Sequence, residues 1–179
     1  YAYINKKRVE DNMNNLIILK KISKSFTINK RILVLKNINY SFSKGKIYSL
    51  MGPSGSGKST LLNILSMIDK PSSGSLQIDN NEIDFSQTLN NDKIRSKKIG
   101  IIYQQNNLLS DFTALENVYL ANLALSDNKK VSIEKGRIII KKMGLSSREN
   151  HYPSQLSGGE MQRTAIARAI INQPEIILA

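Results

Sequence analysis

A glycine-rich segment lies between a short apolar run and a helix-like pattern: Gly52-Pro53-Ser54-Gly55-Ser56-Gly57-Lys58-Ser59-Thr60. It satisfies the pattern G-x-x-x-x-G-K-[ST], in which the backbone of a strand-to-helix loop cradles phosphate groups. Glycines let several N–H groups approach a triphosphate, whereas side chains would obstruct that approach. An ordinary Gly/Ser-rich turn is the competing interpretation, but both flanking elements and all four specified positions agree with a phosphate loop. The chain is therefore predicted to be an α/β protein of the P-loop class.

Two side chains of this loop have distinct predicted tasks. The Lys58 ammonium can reach between the β and γ phosphates, and the Ser59 hydroxyl can ligate Mg²⁺. The helix that follows directs its positive end at the phosphates. ATP and Mg²⁺ are therefore the expected cofactors, with residues 52–60 as ATP-binding residues. Kinases, GTPases and motor ATPases share such a loop, so it predicts nucleotide binding without choosing a reaction.

Hydrophobic periodicity predicts the elements around the loop. An antiparallel strand region is expected over Leu16–Phe42, and residues 79–98 are polar and poorly defined. Short strands are predicted at Ile47–Met51, Leu76–Ile78, Ile99–Tyr103 and Glu175–Ala179. Helices are predicted at Thr60–Ile68, within 112–148, and at Gly158–Asn172, where Pro174 ends the last one.

Composition limits the class of protein further. The 179 residues, 40% of them hydrophobic, suffice for one domain. No run approaches the roughly 18 to 20 apolar residues of a membrane-spanning helix, and the chain has no cysteine and no signal-like start, so a cytoplasmic location is expected. The net charge of +12 is scattered without aromatic interleaving, so no nucleic-acid partner is expected.

A second motif begins at Leu156 and reads LSGGEMQR. Ser157 is a good N-cap, and Glu160 three residues later completes a capping box. Gly158 and Gly159 leave the first N–H groups of that helix uncovered, which makes an anion site. A merely well-capped helix packed through its apolar face is the alternative, and spacing alone does not separate the two.

Together, GPSGSGKST and LSGGEMQR resemble the two hallmark motifs of the ATP-binding cassette family, over nearly all of residues 13–179. The resemblance implies a P-loop cassette with a RecA-like core, an N-terminal antiparallel β subdomain and a helical insert at about 106–155. It also implies a homodimer, in which the signature of one cassette caps the nucleotide held by the other. The residues implied to act in this way, in trans, are Leu156, Ser157, Gly158, Gly159, Glu160 and Gln162.

Two further positions match the family. Phe26 corresponds to the aromatic residue that stacks on adenine, although a half-buried strand aromatic is the competing interpretation. Gln104, after the strand ending at Tyr103, resembles the glutamine that helps hold Mg²⁺ alongside Ser59 and senses the membrane subunits. The helical insert would then dock on integral-membrane permease subunits, which places the protein at the cytoplasmic face of the bacterial inner membrane. His151, the single histidine, is assigned no chemistry.

Within the family, two segments look most like the ATPases of lipoprotein-releasing systems: Asp111–Val118 and Asn150–Leu156. The same group serves macrolide exporters and cell-division-type permeases, which stay as alternatives. A soluble cassette acting on nucleic acid is a third. Chromosome-type members insert a long coiled coil between the two motifs, whereas residues 60–155 here carry no sustained heptads.

The sequence departs from the family pattern at its ends. After Ile176-Ile177-Leu178-Ala179 the family continues with an aspartate that orders Mg²⁺, a glutamate that polarises water and, later, a histidine that contacts the γ-phosphate; none is present. These groups supply most of the rate in phosphoryl transfer, so we expect no useful ATP turnover from this C-terminally truncated cassette. Residues 1–12 are interpreted as a disordered or non-native extension ahead of a cassette at 13–179.

Overall fold

The computed structural model describes residues 15–27 and 29–179. The extension predicted at residues 1–12 lies outside the described residues. The chain divides into two compact units, the first ending at Asn91 and the second spanning Asp92–Ala179.

An antiparallel sheet dominates the first unit. Its strands are β1 (Asn15–Thr27), β2 (Arg31–Ser43), β3 (Ser73–Ile78) and β4 (Asn81–Glu82), in the order β2-β1-β3-β4. This confirms the antiparallel region predicted around Leu16–Phe42. In register, Ile18 pairs with Ser41 of β2 and with Gln77 of β3, so β1 is central. Because β-branched and aromatic side chains alternate with polar ones, one face of this sheet is suited to cover a core.

Helix α1 (Lys58–Leu65) follows the glycine-rich loop and packs its apolar face inward. The helix predicted at Thr60–Ile68 therefore exists, but it ends three residues early because Met67 adopts a left-handed conformation with φ of 57°. The core of this unit is built from side chains of the sheet and of α1: Leu19, Ile22, Leu35, Leu61, Ile64 and Leu76.

The strand predicted at Ile47–Met51 is wrong. Ile47 is fully exposed, Met51 is 68% exposed, and within the described chain only an isolated bridge forms, at Met51. An extended apolar segment becomes a strand only when a neighbouring strand takes its N–H and C=O groups. No strand among residues 15–27 and 29–179 does so along this whole segment. Apolar composition alone therefore misled the prediction.

The polar stretch at residues 79–98 contains an undetected helix, α2 (Thr88–Lys98). Of its residues only Asn91 is buried, and its side-chain amide donates to the Asp84 carbonyl at 2.9 Å. A helix with one buried polar residue shows no apolar periodicity, which is why the sequence did not reveal it.

The second unit combines a parallel strand pair with three helices. Strands β5 (Ile99–Ile101) and β6 (Ile176–Leu178) lie side by side, and the helices are α3 (Ala114–Leu123), α4 (Lys129–Lys142) and α5 (Gly158–Ile170). These elements confirm the strands predicted at Ile99–Tyr103 and Glu175–Ala179 and the helices predicted over 112–148 and 158–172, with shorter bounds. The cluster between the helices contains Ala114, Leu115, Val118, Tyr119, Ile140, Leu145, Leu156, Ala167 and Ile171.

No helix among residues 15–27 and 29–179 is long and apolar enough to cross a membrane.

Candidate functional site

The glycine-rich loop joins Met51 to α1 through backbone conformations that its glycines permit. Gly55 and Gly57 have φ of 76° and 93°, in the left-handed region that favours glycine. The Ser56 N–H donates to the Pro53 carbonyl at 3.3 Å, which closes a turn. Gly57 is the N-cap of α1 and offers no side-chain cap, so the first N–H groups of the helix are left for another acceptor.

Lys58 lies folded back over this loop. Its ammonium donates to the carbonyl oxygens of Gly52 and Pro53, both at 2.8 Å. A phosphate oxygen is a stronger, charged acceptor for an ammonium than a carbonyl. The side chain is thus held over the loop, where a bound phosphate would compete for it.

The Ser56 hydroxyl supports the fit of a phosphate to this loop. Ser56 is 7% exposed, and its Oγ is the buried side-chain N or O atom in the described residues that lacks a hydrogen-bond partner. A buried unpaired hydroxyl costs free energy unless an acceptor or donor reaches it. A Cβ added at Gly55 would meet nothing within 4 Å, so the loop is open beside that residue. The residues present therefore fit the phosphates of ATP.

Phe26, the predicted adenine platform, stands near the end of β1 and is 40% exposed. The Lys24 ammonium lies 4.9 Å from the centroid of its ring. Lys24 is in turn fixed by Asp69 Oδ1 and by the Lys70 carbonyl, each at 2.7 Å. Phe26 is thus an accessible ring near the end of β1, beside a buried cation. The sequence did not single out Lys24, because its partners are more than forty residues away.

Gln104 lies in an exposed turn just after β5. Two residues further on, Asn106 and Asn107 are both left-handed, with φ of 49° and 46°. Arg168 of α5 donates to the carbonyls of both asparagines at 2.6 Å. The sequence analysis did not single out Arg168. The signal that could have identified it is its charge, because it lies between Ala167 and Ala169 inside the helix pattern.

The LSGG segment opens α5 with the predicted capping box. Ser157 Oγ accepts from the Glu160 N–H at 3.4 Å, while a Glu160 carboxylate oxygen accepts from the Ser157 N–H at 2.8 Å. Gly158 and Gly159 are exposed, and a Cβ at Gly158 would meet nothing within 4 Å. Gln162 is also exposed, whereas Leu156 is buried in the helix cluster. The start of α5 is thus presented at the surface of its own unit.

Glu160 is the strongly perturbed acid of this segment. Hydrogen bonds from the Ser157 N–H and hydroxyl, then from Arg148, lower the pKa of Glu160 to about 2. Arg148 Nε donates to the carboxylate at 3.0 Å, and a guanidinium nitrogen of Arg148 lies 3.4 Å from the His151 ring. The carboxylate therefore stays ionised at neutral pH and completes the cap of α5.

The predicted site residues fall into two groups by unit. The loop at 52–60 and Phe26 belong to the first unit, and Gln104 and the LSGG segment belong to the second. Each group is locally ordered by its own hydrogen bonds. Among the described residues no three His, Cys, Asp or Glu side chains form a metal-binding cluster.

These two motifs and the fold define the class of protein. The sequence model described as ABC transporter matches residues 35–179. The chain belongs to this family and has the fold of its ATP-binding cassette, an ATPase domain that binds nucleotide. The cassette fold predicted from the sequence is confirmed.

Similar proteins place the chain more narrowly. The lipoprotein-releasing system ATP-binding protein LolD of Rickettsia bellii is 44% identical over 167 residues, which are 93% of this chain and 73% of the relative. LolD of Bacteroides thetaiotaomicron is 42% identical over 164 residues, covering 92% and 74%. The dimeric structure of MJ0796, a bacterial ABC transporter cassette, superposes with a TM-score of 0.83 at 42% identity, covering 90% of this chain and 72% of that one. A second MJ0796 dimer, in a post-hydrolysis state bound to ADP and Pi, gives a TM-score of 0.81.

Proposed function

We propose that the chain is the ATP-driven cassette of a transporter that releases lipoproteins from the bacterial inner membrane. Two features suited to bind phosphate carry the proposal. The first is the loop, which has an uncapped helix start and, among the described residues, a buried Ser56 hydroxyl without a partner. The second is the exposed start of α5 at Ser157. The similarity to LolD proteins supports the choice of lipoprotein release within the family.

The residues divide the binding of ATP among them. Phe26 stacks on the adenine, and the N–H groups of the non-proline residues among 52–60 surround the phosphates. Lys58 leaves the Gly52 and Pro53 carbonyls for a phosphate oxygen. Ser59 and Gln104 would hold Mg²⁺, whose charge offsets that of the phosphates. Ser59 and Gln104 are both exposed and bear oxygen ligands of the kind Mg²⁺ prefers.

The LSGG segment acts on a second copy of the chain. An N-terminal helix end that is exposed and bare of side chains at Gly158 and Gly159 is a site for the γ-phosphate of a partner. The dimeric MJ0796 structures support this homodimeric arrangement by analogy. Closure of the two copies would move the permease subunits to which they are bound. Through this contact the protein would lie at the inner membrane as a peripheral subunit.

The test uses the full-length protein with its membrane permease in lipid vesicles that carry a lipoprotein. We expect ATP-dependent release of the lipoprotein and stimulation of ATP hydrolysis by the permease. Lys58→Ala should abolish both, because the ammonium no longer reaches the phosphates. Lys46→Ala, which removes an exposed lysine outside the loop, should leave both intact.

Two outcomes would overturn the proposal. Stimulation by a macrolide-exporter or cell-division-type permease, with no lipoprotein release, would move the protein to another transporter of the same group. Stimulation by DNA or ribosomes in place of a permease would move it to the soluble nucleic-acid-associated cassettes.

A further inference from the structure

Arg168 links two segments of the second unit that are far apart in sequence. One guanidinium nitrogen donates to the Asn107 carbonyl and the other to the Asn106 carbonyl, each at 2.6 Å. The bonds span more than sixty residues and join the last turn of α5 to the turn that follows Gln104. A guanidinium presents its donors in a fixed plane, so two adjacent carbonyls are held in one relative orientation.

The turn contacted by Arg168 is conformationally unusual. Asn106 and Asn107 are consecutive non-glycine residues with positive φ, an arrangement that is populated only where the surroundings support it. The Asn106 N–H donates to the Tyr103 carbonyl, and the Asn107 N–H donates to the Gln105 carbonyl. These short-range bonds fold the turn on itself, and its Asn106 and Asn107 carbonyls point at Arg168.

The surroundings of Arg168 also favour this contact. Arg168 is partly buried on α5 beside Ala167 and Ala169, and burial lowers the pKa of its guanidinium while Tyr103 opposes that shift. A partly buried cation is costly to separate from good acceptors, so breaking this contact is unfavourable. The other end of the same helix is the Ser157 cap.

Building on the proposed function, we propose that Arg168 is a positioning residue that makes the turn after Gln104 and the signature helix α5 move as one body. A displacement of the turn after Gln104 is then transmitted through α5 to Ser157, Gly158 and Gly159 at the other end of the helix. Arg168 itself touches neither nucleotide. It acts through the two asparagine carbonyls.

Two substitutions of Arg168 in the full-length protein distinguish a positioning role from a general contribution to stability. Arg168→Met keeps most of the side-chain volume and removes every donor, whereas Arg168→Lys keeps the charge but offers a single ammonium in place of the planar pair. Arg137→Met is the matched control, because that exposed arginine of α4 makes a longer contact, of 3.5 Å, with Glu149.

Hydrogen exchange of the folded protein gives the first readout and needs no nucleotide. In Arg168→Met, amides of residues 104–109 should exchange about tenfold faster, while those of α3 stay unchanged. Arg168→Lys should lie between Arg168→Met and the unsubstituted protein, and Arg137→Met should match the unsubstituted protein. A general loss of stability would instead speed exchange in α3 and in residues 104–109 alike, and that result would overturn the proposal.

ATP-dependent dimerisation and steady-state kinetics give the second readout. We expect Arg168→Met to bind ATP within about twofold of normal, with KM similarly unchanged, but to lose dimerisation and about tenfold in kcat. Normal dimerisation and kcat in Arg168→Met would refute the coupling even if exchange rises. If the unsubstituted protein itself fails to dimerise with ATP, the proposed function fails instead, and the exchange readout still decides whether Arg168 holds the turn.

Discussion

At the scale of single residues, Gly57 carries the tightest steric requirement of the phosphate loop. It has φ of 93°, and an added Cβ would lie 2.8 Å from Leu35 Cδ2 and 3.0 Å from Val34 Cγ1. Gly57→Ala therefore combines left-handed strain with overpacking, and we expect it to lower the free energy of unfolding by about 2 to 4 kcal/mol. Urea unfolding measures this loss.

Gly45 provides the control for that substitution. It is also left-handed, with φ of 71°, but an added Cβ would meet nothing within 4 Å. Gly45→Ala should therefore cost only the conformational term, about 1 to 2 kcal/mol. Equal losses for the two variants would mean that the contact with β2 is not a constraint on the loop.

Glu160 makes the stability of the α5 cap depend on pH. Its pKa in the folded protein is about 2, below the ordinary value of 4.5, so the carboxylate stabilises the fold above pH 4.5 and this contribution is lost as pH falls towards 2. Glu160→Gln should thus be less stable than the unsubstituted protein at pH 7, and the gap should close between pH 4.5 and 2. Urea midpoints at several pH values measure the gap.

A gap between the two proteins that does not change with pH would contradict the assigned pKa. Glu134→Gln is the control for the substitution itself, since Glu134 is an exposed residue of α4 outside the cap of α5.

Local spacing predicted some of these residues and failed with others. The capping box of Ser157 and Glu160 follows from a three-residue spacing, and the structure forms it. Lys24 and Arg168 have partners more than forty and sixty residues away, so local spacing does not identify those partners. Short-range backbone chemistry is readable from sequence, whereas long-range polar contacts depend on tertiary packing.

At the scale of elements, Asn117 organises the segment that leads into α3. It is 1% exposed, its Oδ1 accepts from the Leu109 N–H at 2.7 Å, and its Nδ2 faces the carbonyls of Leu109, Phe112 and Thr113 at 2.9 to 3.0 Å. Asn117→Ala would leave several of these groups without partners. We expect the free energy of unfolding to fall by about 2 to 4 kcal/mol, measured by urea unfolding.

Asn90→Ala is the matched control for Asn117→Ala. Asn90 is exposed on α2, and its loss should change stability by no more than about 0.5 kcal/mol. If the two substitutions lowered stability equally, the buried Asn117 amide would not be the group that orders residues 109–113.

The elements themselves were predictable where burial leaves a periodic trace. Helices α3 and α5 bury apolar faces and were found, whereas α2 buries a single asparagine and was not. The opposite error occurred at Ile47–Met51, where apolar residues suggested a strand that lacks a partner along its length. Periodicity thus reports which side chains are buried, and strand formation requires a neighbour that one segment cannot specify.

At the scale of the whole molecule, the two motifs lie in different units, the phosphate loop in the first and the LSGG segment in the second. The sequence predicted that the signature serves a partner only through resemblance to its family. An exposed α5 start is required for such a role, and Gly158 and Gly159 meet that requirement.

Mixing two defective subunits distinguishes action on a partner from action within one chain. Lys58→Ala removes the loop ammonium, and Gly158→Asp places a negative charge where the partner's phosphate would bind. Gly158→Asp should fold, because a Cβ there meets nothing within 4 Å and an acidic residue suits the first turn of a helix.

In full-length protein, neither variant alone should form an ATP-dependent dimer. Their mixture should form a heterodimer that holds one ATP between an intact loop and an intact signature. Light scattering with and without ATP measures the dimer, and a mixture that stays monomeric would mean that the α5 start does not serve a second copy.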